Sequence, residues 1–214
     1  MFSMTNLSPN PNPEIVTFYY NPMSRGRTVH WLLEELGCEY EVKNLDWSKG
    51  EHKSPEYLKI NPMGKIPAII HRNTVVTETA AICAYLADAF LEKGLAPAAN
   101  DPKRGTYYRW MFFANGCLES AFADKKFPRD PAPPASHAGH GTTEQTIATL
   151  EKAVENGYVT GKFSAADIFL SSYIGWALSQ KDLEPKPAFV NYMKLCTDRP
   201  SWSRFNEKAP MKMG

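Results

Sequence analysis

The sequence predicts an α/β domain followed by an all-helical domain. At 214 residues the chain is long enough for two compact units, because single domains commonly hold about 100 to 150 residues. Strand patterns alternate with helical patterns up to about residue 93, whereas only helical patterns follow a segment rich in glycine, alanine and proline. We therefore expect domains at residues 14–93 and 102–214, joined by a linker at residues 94–101.

The first predicted elements form a βαβ unit. Residues 15–20 (IVTFYY) are β-branched and aromatic and stop at Asn21-Pro22, which indicates a buried strand. Apolar residues then recur at helical spacing over residues 27–36, and Gly37 stands where a C-cap glycine belongs. Residues 40–43 alternate like a second strand. This order predicts two parallel strands joined by a right-handed crossover.

A predicted hairpin and helix complete the first domain. Residues 65–71 (KIPAIIH) resemble a strand with a proline near its start, Arg72-Asn73 is a two-residue turn, and residues 75–76 supply the partner strand. A helix with one apolar stripe begins at Glu78. The full order, β-α-β and then β-β-α, is that of the thioredoxin fold.

The second domain is predicted to be a helical bundle. Helices are expected at residues 103–122, 142–156, 165–179 and 189–197, with a proline-rich surface loop at residues 127–141. Ser164 and Asp167 form a capping box at the third of these helices, a folding element rather than a catalytic pair. Residues 1–13 hold three prolines and three asparagines after residue 5 and are expected to be a flexible extension.

Composition excludes several classes of function. The 24 basic and 23 acidic residues give a formal net charge of +1, so neither nucleic acid nor an anionic membrane is an expected partner. A signal-peptide pattern and an apolar run of membrane-spanning length are both absent from the sequence. The cysteines lack CxxC or metal-ligand spacing, which favours a reducing, cytoplasmic location and no metal site. They are Cys38, Cys83, Cys117 and Cys196.

Four segments, taken in order and with their separations, resemble the cytosolic glutathione transferase superfamily. The likeness runs from about Thr17 to the C-terminal end and is greatest to serine-type plant and bacterial members. It implies a thioredoxin-like domain that binds glutathione and a helical domain that shapes the second-substrate pocket. The segments are residues 19–24 (YYNPMS), residues 51–53 (EHK) with 61–67 (NPMGKIP), Glu78-Thr79, and residues 164–167 (SAAD).

Ser24 is the candidate catalytic residue. A thiol with a pKa near roughly 8.5 must become a thiolate to act as a nucleophile at neutral pH. Ser24 follows the first strand at the start of a helix, where a hydroxyl and helix amides can donate to negative sulfur. The residues alone favour plain helix capping, whereas the resemblance implies an activating hydroxyl. Arg25 and Arg27 flank it as candidate thiolate partners or structural arginines, and the structural role is expected of Arg27 rather than of Arg25.

The resemblance implies a glutathione-binding role for residues in two later motifs. Pro67 is expected to follow a cis peptide bond, and the main chain of Ile66 would pair with the cysteinyl unit as an added strand. Glu78 and Thr79 would bind the γ-glutamyl group, with threonine where the family usually has serine. Without a ligand, the same two residues would be ordinary helix caps.

Basic residues are implied at the glycyl end of glutathione. These are Lys53, Lys65 and, as a weaker candidate, His52. Most lysines are simply solvated, so this assignment depends on the resemblance. An aromatic-rich set would line the second pocket, although such stripes usually belong to ordinary core. That set is Met23, Tyr107, Tyr108, Met111, Phe112 and Trp202.

Three functional hypotheses remain open at this point. The first is an enzyme that adds glutathione, as co-substrate, to a small hydrophobic electrophile or uses it to reduce a hydroperoxide. Serine rather than cysteine at position 24 favours these reactions over disulfide exchange. The second is a non-catalytic ligand-binding or assembly module with the same fold. The third, maleyl-type isomerisation, is disfavoured because the Ser-Ser-Cys motif is absent. The resemblance also implies a homodimer.

Overall fold

The computed structural model describes residues 7–209, so the first six residues of the expected extension lie outside the described residues. The chain divides into two units. The first contains residues 7–89 together with 200–209, and the second contains Phe90–Arg199.

The first unit is built on a mixed sheet. Its strands are β1 (Val16–Tyr20), β2 (Tyr40–Asn44), β3 (Ala68–His71) and β4 (Thr74–Thr77). Their order is β2-β1-β3-β4, with β1 parallel to β2 and β3 antiparallel to both β1 and β4. This is the predicted thioredoxin-like arrangement, and the fold prediction is confirmed.

Helices of the first unit cover both faces of β1, because successive side chains of a strand point to opposite faces. The rings of Phe18 and Tyr20 lie 5.9 and 5.2 Å from that of His30 in α1 (Gly26–Leu36). On the other face, the Tyr19 ring lies 5.6 Å from that of Tyr57 in the short helix α2 (Pro55–Leu58). Helix α3 (Thr79–Ala89) follows β4.

The residues just before β1 are ordered against the sheet, in contrast to the flexible extension expected for residues 1–13. The Asn10 amide donates to Thr17 Oγ1 at 2.8 Å, and the Arg72 amide donates to the Pro13 carbonyl at 2.8 Å. The expectation was based on polar composition alone. It overlooked that asparagine side chains and main-chain groups can be satisfied by the sheet itself.

A last helix also belongs to the first unit, although residues 102–214 were expected to form one helical domain. A helix over Pro200–Lys208 follows those of the second unit in the chain and packs against α1. Phe205 is buried, and the rings of Trp202 and Trp31 lie 4.6 Å apart. The segment is short and holds only two large apolar residues, Trp202 and Phe205, so its sequence has no clear helical pattern.

The second unit is helical. Its helices are α4 (Lys103–Phe112), α5 (Glu119–Lys126), α6 (Thr143–Val154), α7 (Ala165–Ser179) and α8 (Pro187–Thr197), and the helix at 200–208 is α9. A π-helical segment, Phe113–Leu118, separates α4 from α5, where one continuous helix was expected. This segment contains Asn115 and Gly116, which are weak helix formers. Among the described residues, every helix is too short or too polar to cross a lipid bilayer.

The predicted capping box of α7 is present and buried. The Ser164 amide and hydroxyl donate to Asp167 Oδ2 at 2.9 and 2.8 Å. The Val159 amide and the Tyr192 hydroxyl donate to Asp167 Oδ1 at 3.0 and 2.8 Å. All four donors belong to the second unit, so this carboxylate organises the start of α7, as expected for a folding element.

Candidate active site at one end of the sheet

The register of the sheet gathers four loop segments at one end. Tyr20 pairs with Asn44 in the parallel strand β2, so β1 and β2 finish together. Because β3 runs antiparallel, Ala68 at its start lies beside Tyr19 on one side and beside Thr77 on the other. The segments that follow β1, β2 and β4 and the segment that precedes β3 therefore share this end. They carry all the predicted site residues: Ser24, His52, Lys53, Lys65, Ile66, Pro67, Glu78 and Thr79.

The Ser24 hydroxyl is held in the turn between β1 and α1. Ser24 Oγ donates to the Asn21 carbonyl at 2.7 Å and accepts from the Gly26 amide at 3.0 Å. Helix α1 begins two residues later, at Gly26, and Ser24 is only half-buried. The hydroxyl therefore caps the turn locally and also lies at the positive end of a helix. Donation to an anion would require its proton to turn away from Asn21.

Gly26 allows the Ser24 turn to close. This role of Gly26 is not among those expected from the sequence. A Cβ atom at this position would stand 2.8 Å from Ser24 Oγ and 2.8 Å from Cδ2 of the Tyr20 ring. Real Cβ contacts of that length are essentially never seen. The sign of this in the sequence is the glycine of Ser-Arg-Gly-Arg. The backbone at a helix start does not require glycine, so a glycine there indicates that another group approaches it closely.

Arg27 has a structural role. Its Nη1 donates to the Ala209 carbonyl at 2.7 Å, and its guanidinium lies 4.7 Å from the centre of the Phe205 ring. Arg27 therefore ties the first turn of α1 to α9, which agrees with the structural alternative given above. Burial raises the pKa of the neighbouring Tyr20 although Arg27 acts to lower it, so this phenol is neutral at physiological pH.

The turn at Glu51–Lys53 packs against the turn that leads into β3. Lys53 Nζ donates to the Met63 carbonyl at 2.9 Å. Gly64 has φ +59°, and a Cβ there would stand 2.7 Å from both the His52 carbonyl and Lys53 Nζ. The His52 ring lies 6.2 Å from that of Trp47, and its buried Nδ1 makes no hydrogen bond with the described residues. Basic groups therefore line one side of this end of the sheet.

The main chain of Ile66 is open to an extended ligand. The carbonyl before it, that of Lys65, accepts from Tyr57 Oη at 2.6 Å and from Asn61 Nδ2 at 2.9 Å. The Ile66–Pro67 peptide bond is cis, as expected. Ile66 itself is half-buried, and within residues 7–209 its own N–H and C=O make no hydrogen bond. These are the groups that an added strand would use.

Glu78 and Thr79 occupy the junction between β4 and α3. Glu78 is exposed and has φ +66°, a left-handed conformation that non-glycine residues seldom adopt. Its carbonyl accepts from the Ile82 amide at 2.9 Å, which closes the first turn of α3. Thr79, rather than Glu78, is the first helical residue and is buried. Strain of this kind is concentrated at ligand sites.

The residues expected to line a second pocket differ in exposure. Met23 and Phe112 are exposed to 74% and 68%, whereas Tyr107 and Met111 are buried in the second unit. Only part of the aromatic stripe of α4 can therefore meet a substrate. No group of three or more His, Cys, Asp or Glu side chains suited to a metal occurs within residues 7–209.

Comparison with known proteins finds similarity to glutathione transferases and to a disulfide-bond oxidoreductase. Residues 15–88 match the family "Glutathione S-transferase, N-terminal domain". The disulfide-bond oxidoreductase YfcG of Escherichia coli K12 is 26% identical, covering 92% of this chain and 97% of YfcG. The probable glutathione S-transferase GSTF2 of Oryza sativa subsp. japonica is 44% identical over 68 residues, 28% of this chain and 32% of that protein.

A solved structure agrees over nearly the whole chain. The glutathione transferase URE2P6 from Phanerochaete chrysosporium, in complex with oxidised glutathione, is 27% identical with a TM-score of 0.75. The match covers 92% of this chain and 96% of URE2P6. Residues 15–88 thus match the N-terminal domain of glutathione S-transferases, and the chain has the glutathione transferase fold, a thioredoxin-like unit followed by a helical unit.

Proposed function

We propose that this chain is a serine-type glutathione transferase. In this proposal, it binds glutathione at the described end of the sheet and activates its thiol for attack on a small hydrophobic electrophile. The observation that carries the proposal is the convergence of three features on one sheet end. They are the Ser24 hydroxyl at the start of α1, the unpaired main chain of Ile66 and the strained Glu78-Thr79 junction.

Each part of glutathione has a chemically matched group in this proposal. The cysteinyl unit pairs with the Ile66 N–H and C=O, as an antiparallel strand would. The γ-glutamyl carboxylate meets the N-terminal end of α3 at Thr79, and its ammonium meets the exposed Glu78 carboxylate. The glycyl carboxylate is attracted by basic groups on the neighbouring loops. These are Lys53, Lys65 and His52.

The chemical step needs a stabilised thiolate. The thiol proton leaves to solvent, and the Ser24 hydroxyl turns from the Asn21 carbonyl to donate to the sulfur, next to the positive end of α1. The thiolate then attacks the electrophilic carbon, a carbon–sulfur bond forms, and the leaving group departs with the bonding electron pair. Serine thus acts as a hydrogen-bond donor and forms no covalent intermediate.

A second candidate reaction is glutathione-dependent disulfide reduction. It is favoured by the similarity to YfcG over 92% of this chain. The bound thiolate would attack one sulfur of a disulfide and expel the other as a thiolate. The thiolate of a second glutathione would then attack the glutathione sulfur of the mixed disulfide, which forms oxidised glutathione and expels the second substrate thiolate, so no protein cysteine is required. The cytoplasmic location, a role in detoxification and the homodimer stay predictions, as does the non-catalytic module.

The decisive test compares Ser24→Ala with Ser48→Ala, a matched control whose exposed hydroxyl binds Asp46 outside the site. Glutathione binding is measured by calorimetry. Turnover is measured with 1-chloro-2,4-dinitrobenzene and, separately, with hydroxyethyl disulfide. We expect Ser24→Ala to retain glutathione binding and lose roughly 10²-fold in kcat/KM, as removal of one donor to a developing anion does. Ser48→Ala should resemble the wild type.

The outcomes separate the alternatives. Turnover of the aromatic chloride supports the transferase, whereas turnover of the disulfide alone supports the second candidate. Glutathione binding without turnover of either substrate would leave the binding module. A wild-type chain that does not bind glutathione would overturn all three, and full activity in Ser24→Ala would remove the serine from the mechanism.

A further inference from the structure

The segment before β1 is fastened to the sheet at several points. We call residues 7–14 the N-terminal strap. The Leu7 carbonyl accepts from Tyr19 Oη at 2.5 Å, and the Asn10 side chain donates to Glu41 Oε2 at 3.1 Å. At its other end, Glu14 pairs with Arg72 at 2.9 Å. The strap therefore contacts β1, β2 and the turn between β3 and β4.

The strap completes a small apolar cluster on the face of β1 opposite α1. Tyr19 and Thr17 point to the face that also meets Tyr57 of α2, a helix of only four residues. Leu7 and Ile66 both pack against this cluster. The fully buried members are Tyr19, Leu45, Tyr57 and Ala68, and the partly buried ones are Leu7, Ile60, Ile66 and Ile70.

We propose that the N-terminal strap positions the main chain of Ile66 for ligand binding, with Leu7 and Tyr19 as its positioning residues. The inference rests on the proposed glutathione site and deepens it. Tyr19 is fully buried, and its hydroxyl donates to the strap. Its ring supports Tyr57, whose hydroxyl holds the Lys65 carbonyl directly before Ile66. The path from strap to ligand thus consists of two packed rings and two hydrogen bonds.

In this proposal, the strap holds the main chain of Ile66 in an ordered conformation before the ligand binds. A main-chain segment that is already fixed binds an extended peptide more tightly than one that must be ordered on binding. Without the strap, Tyr19 Oη loses its hydrogen bond to the Leu7 carbonyl, and the cluster against which Ile66 packs loses the Leu7 side chain. Affinity for glutathione should then fall, whereas the Ser24 turn, held by Asn21 and Gly26, keeps its geometry.

The experiment uses the full-length protein with Tyr19→Phe, Leu7→Ala and Leu7→Met. Tyr158→Phe is the matched control, because Tyr158 Oη likewise donates to a main-chain carbonyl, that of Leu195 in the second unit, at 3.3 Å. We measure the Kd for glutathione by calorimetry, KM and kcat for conjugation, and amide hydrogen exchange over residues 60–70 of the free protein.

We expect Tyr19→Phe and Leu7→Ala each to raise Kd and KM for glutathione about three- to tenfold, the usual worth of one hydrogen bond or a few apolar contacts, with kcat within about twofold. Exchange over residues 60–70 should quicken. The double variant, Tyr19→Phe with Leu7→Ala, should lose less than the product of the single losses, because both changes loosen the hold on the same strap residue, Leu7. Leu7→Met and Tyr158→Phe should both give the wild-type values of Kd, KM and exchange rate.

The proposal is overturned if wild type binds glutathione and both strap variants bind it equally well, or if exchange over residues 60–70 is unchanged. A loss of kcat with unchanged KM would also overturn it, since that points to the Ser24 turn. If wild type fails to bind glutathione, the proposed function falls, and the inference that depends on it falls too.

Discussion

Individual atoms set the geometry around Ser24. Its Oγ donates to the Asn21 carbonyl and accepts from the Gly26 amide. Residue 26 lies so close to this oxygen that only the hydrogen of a glycine fits there. A hydroxyl that is held in this way is preorganised. Any change that moves the first turn of α1 therefore moves the proposed donor to the thiolate.

We predict that Gly26→Ala is costly and Gly105→Ala is not. The added methyl at position 26 would overlap Ser24 Oγ and the Tyr20 ring, each at 2.8 Å, whereas nothing lies within 4 Å of a Cβ at Gly105 in α4. Overpacking should lower the free energy of unfolding by about 1–3 kcal/mol. Urea denaturation gives this value, and conjugation kinetics should show a matching fall in kcat/KM.

Gly105→Ala is the control for substitution of a helical glycine. It should be neutral or stabilise by up to about 1 kcal/mol, because alanine is the better helix former. Equal stability of the two variants would contradict the close approach at Gly26.

The sequence located the segments of the candidate site but not the contacts that shape them. Ser24, Ile66 and Glu78 could be singled out because the motifs that contain them, next to recognisable strands, resemble those of glutathione transferases. The need for glycine at position 26 depends on the Tyr20 ring, which is a tertiary contact. The bond from Lys53 Nζ to the Met63 carbonyl joins two loops and has no sequence pattern of its own.

At the scale of elements, α1 and α9 are joined by a buried polar cluster. Glu34 of α1 accepts from Lys208 at 2.7 Å, and it also accepts from Tyr40 Oη of β2. His30 Nε2 lies 3.0 Å from the same tyrosine hydroxyl. Burial lowers the pKa of His30 to about 4, although Glu34 acts to raise it. His30 is therefore neutral in the folded protein at physiological pH.

This cluster predicts a loss of stability in mild acid. In the unfolded chain, histidine binds a proton below about pH 6.5. Because the unfolded state then holds more protons than the folded state, the free energy of unfolding falls as pH drops from about 6.5 towards 4. We expect His30 to contribute a fall of about 1 to 2 kcal/mol between pH 7.5 and 5, measured by urea denaturation at each pH.

His30→Gln should flatten this pH dependence, since an amide does not titrate. His137→Gln is the control, because His137 is exposed in the loop between α5 and α6. The Glu34 carboxyl has a lowered pKa, since hydrogen bonds from Lys208 and Tyr40 outweigh the raising effect of burial. The contribution of Glu34 to the free energy of unfolding is lost at a lower pH than the contribution of His30. An unchanged slope in His30→Gln would disprove the assignment.

Among the elements, those with strong periodicity could be predicted and those defined by partners could not. Helix α7 has the bounds expected for it, residues 165–179, because its apolar composition and its capping box both lie in the sequence. Helix α9 was missed, since its burial depends on Phe205 and Trp202 meeting α1. The π-helical interruption at Phe113–Leu118 lies between two helical segments of similar residue types, and no sequence periodicity marks it.

At the scale of the whole molecule, the first unit is assembled from two separate stretches of chain. Residues 7–89 supply the sheet and its helices, and residues 200–209 supply α9. Phe205 is the buried anchor of that second stretch. Its ring lies 5.6 Å from that of His30 and 5.4 Å from that of Trp202.

We predict that Phe205→Ala destabilises the first unit by about 3–5 kcal/mol, the usual cost of emptying a buried phenylalanine site. Phe127→Ala, at a position exposed to 73%, should change stability by less than about 0.5 kcal/mol. Urea denaturation measures the change in the free energy of unfolding. Amide hydrogen exchange of α1 shows whether the change lies in the first unit. Equal stability of the two variants would show that α9 is dispensable to the first unit.

The discontinuity of the first unit has a consequence for biosynthesis. A ribosome releases the sheet strands and α1 first, but α9 emerges only after the whole of Phe90–Arg199 has been made. During that interval the surface of α1 that will receive Phe205 and Trp202 is uncovered. The nascent chain therefore completes its first unit only after the whole of the second unit has been synthesised.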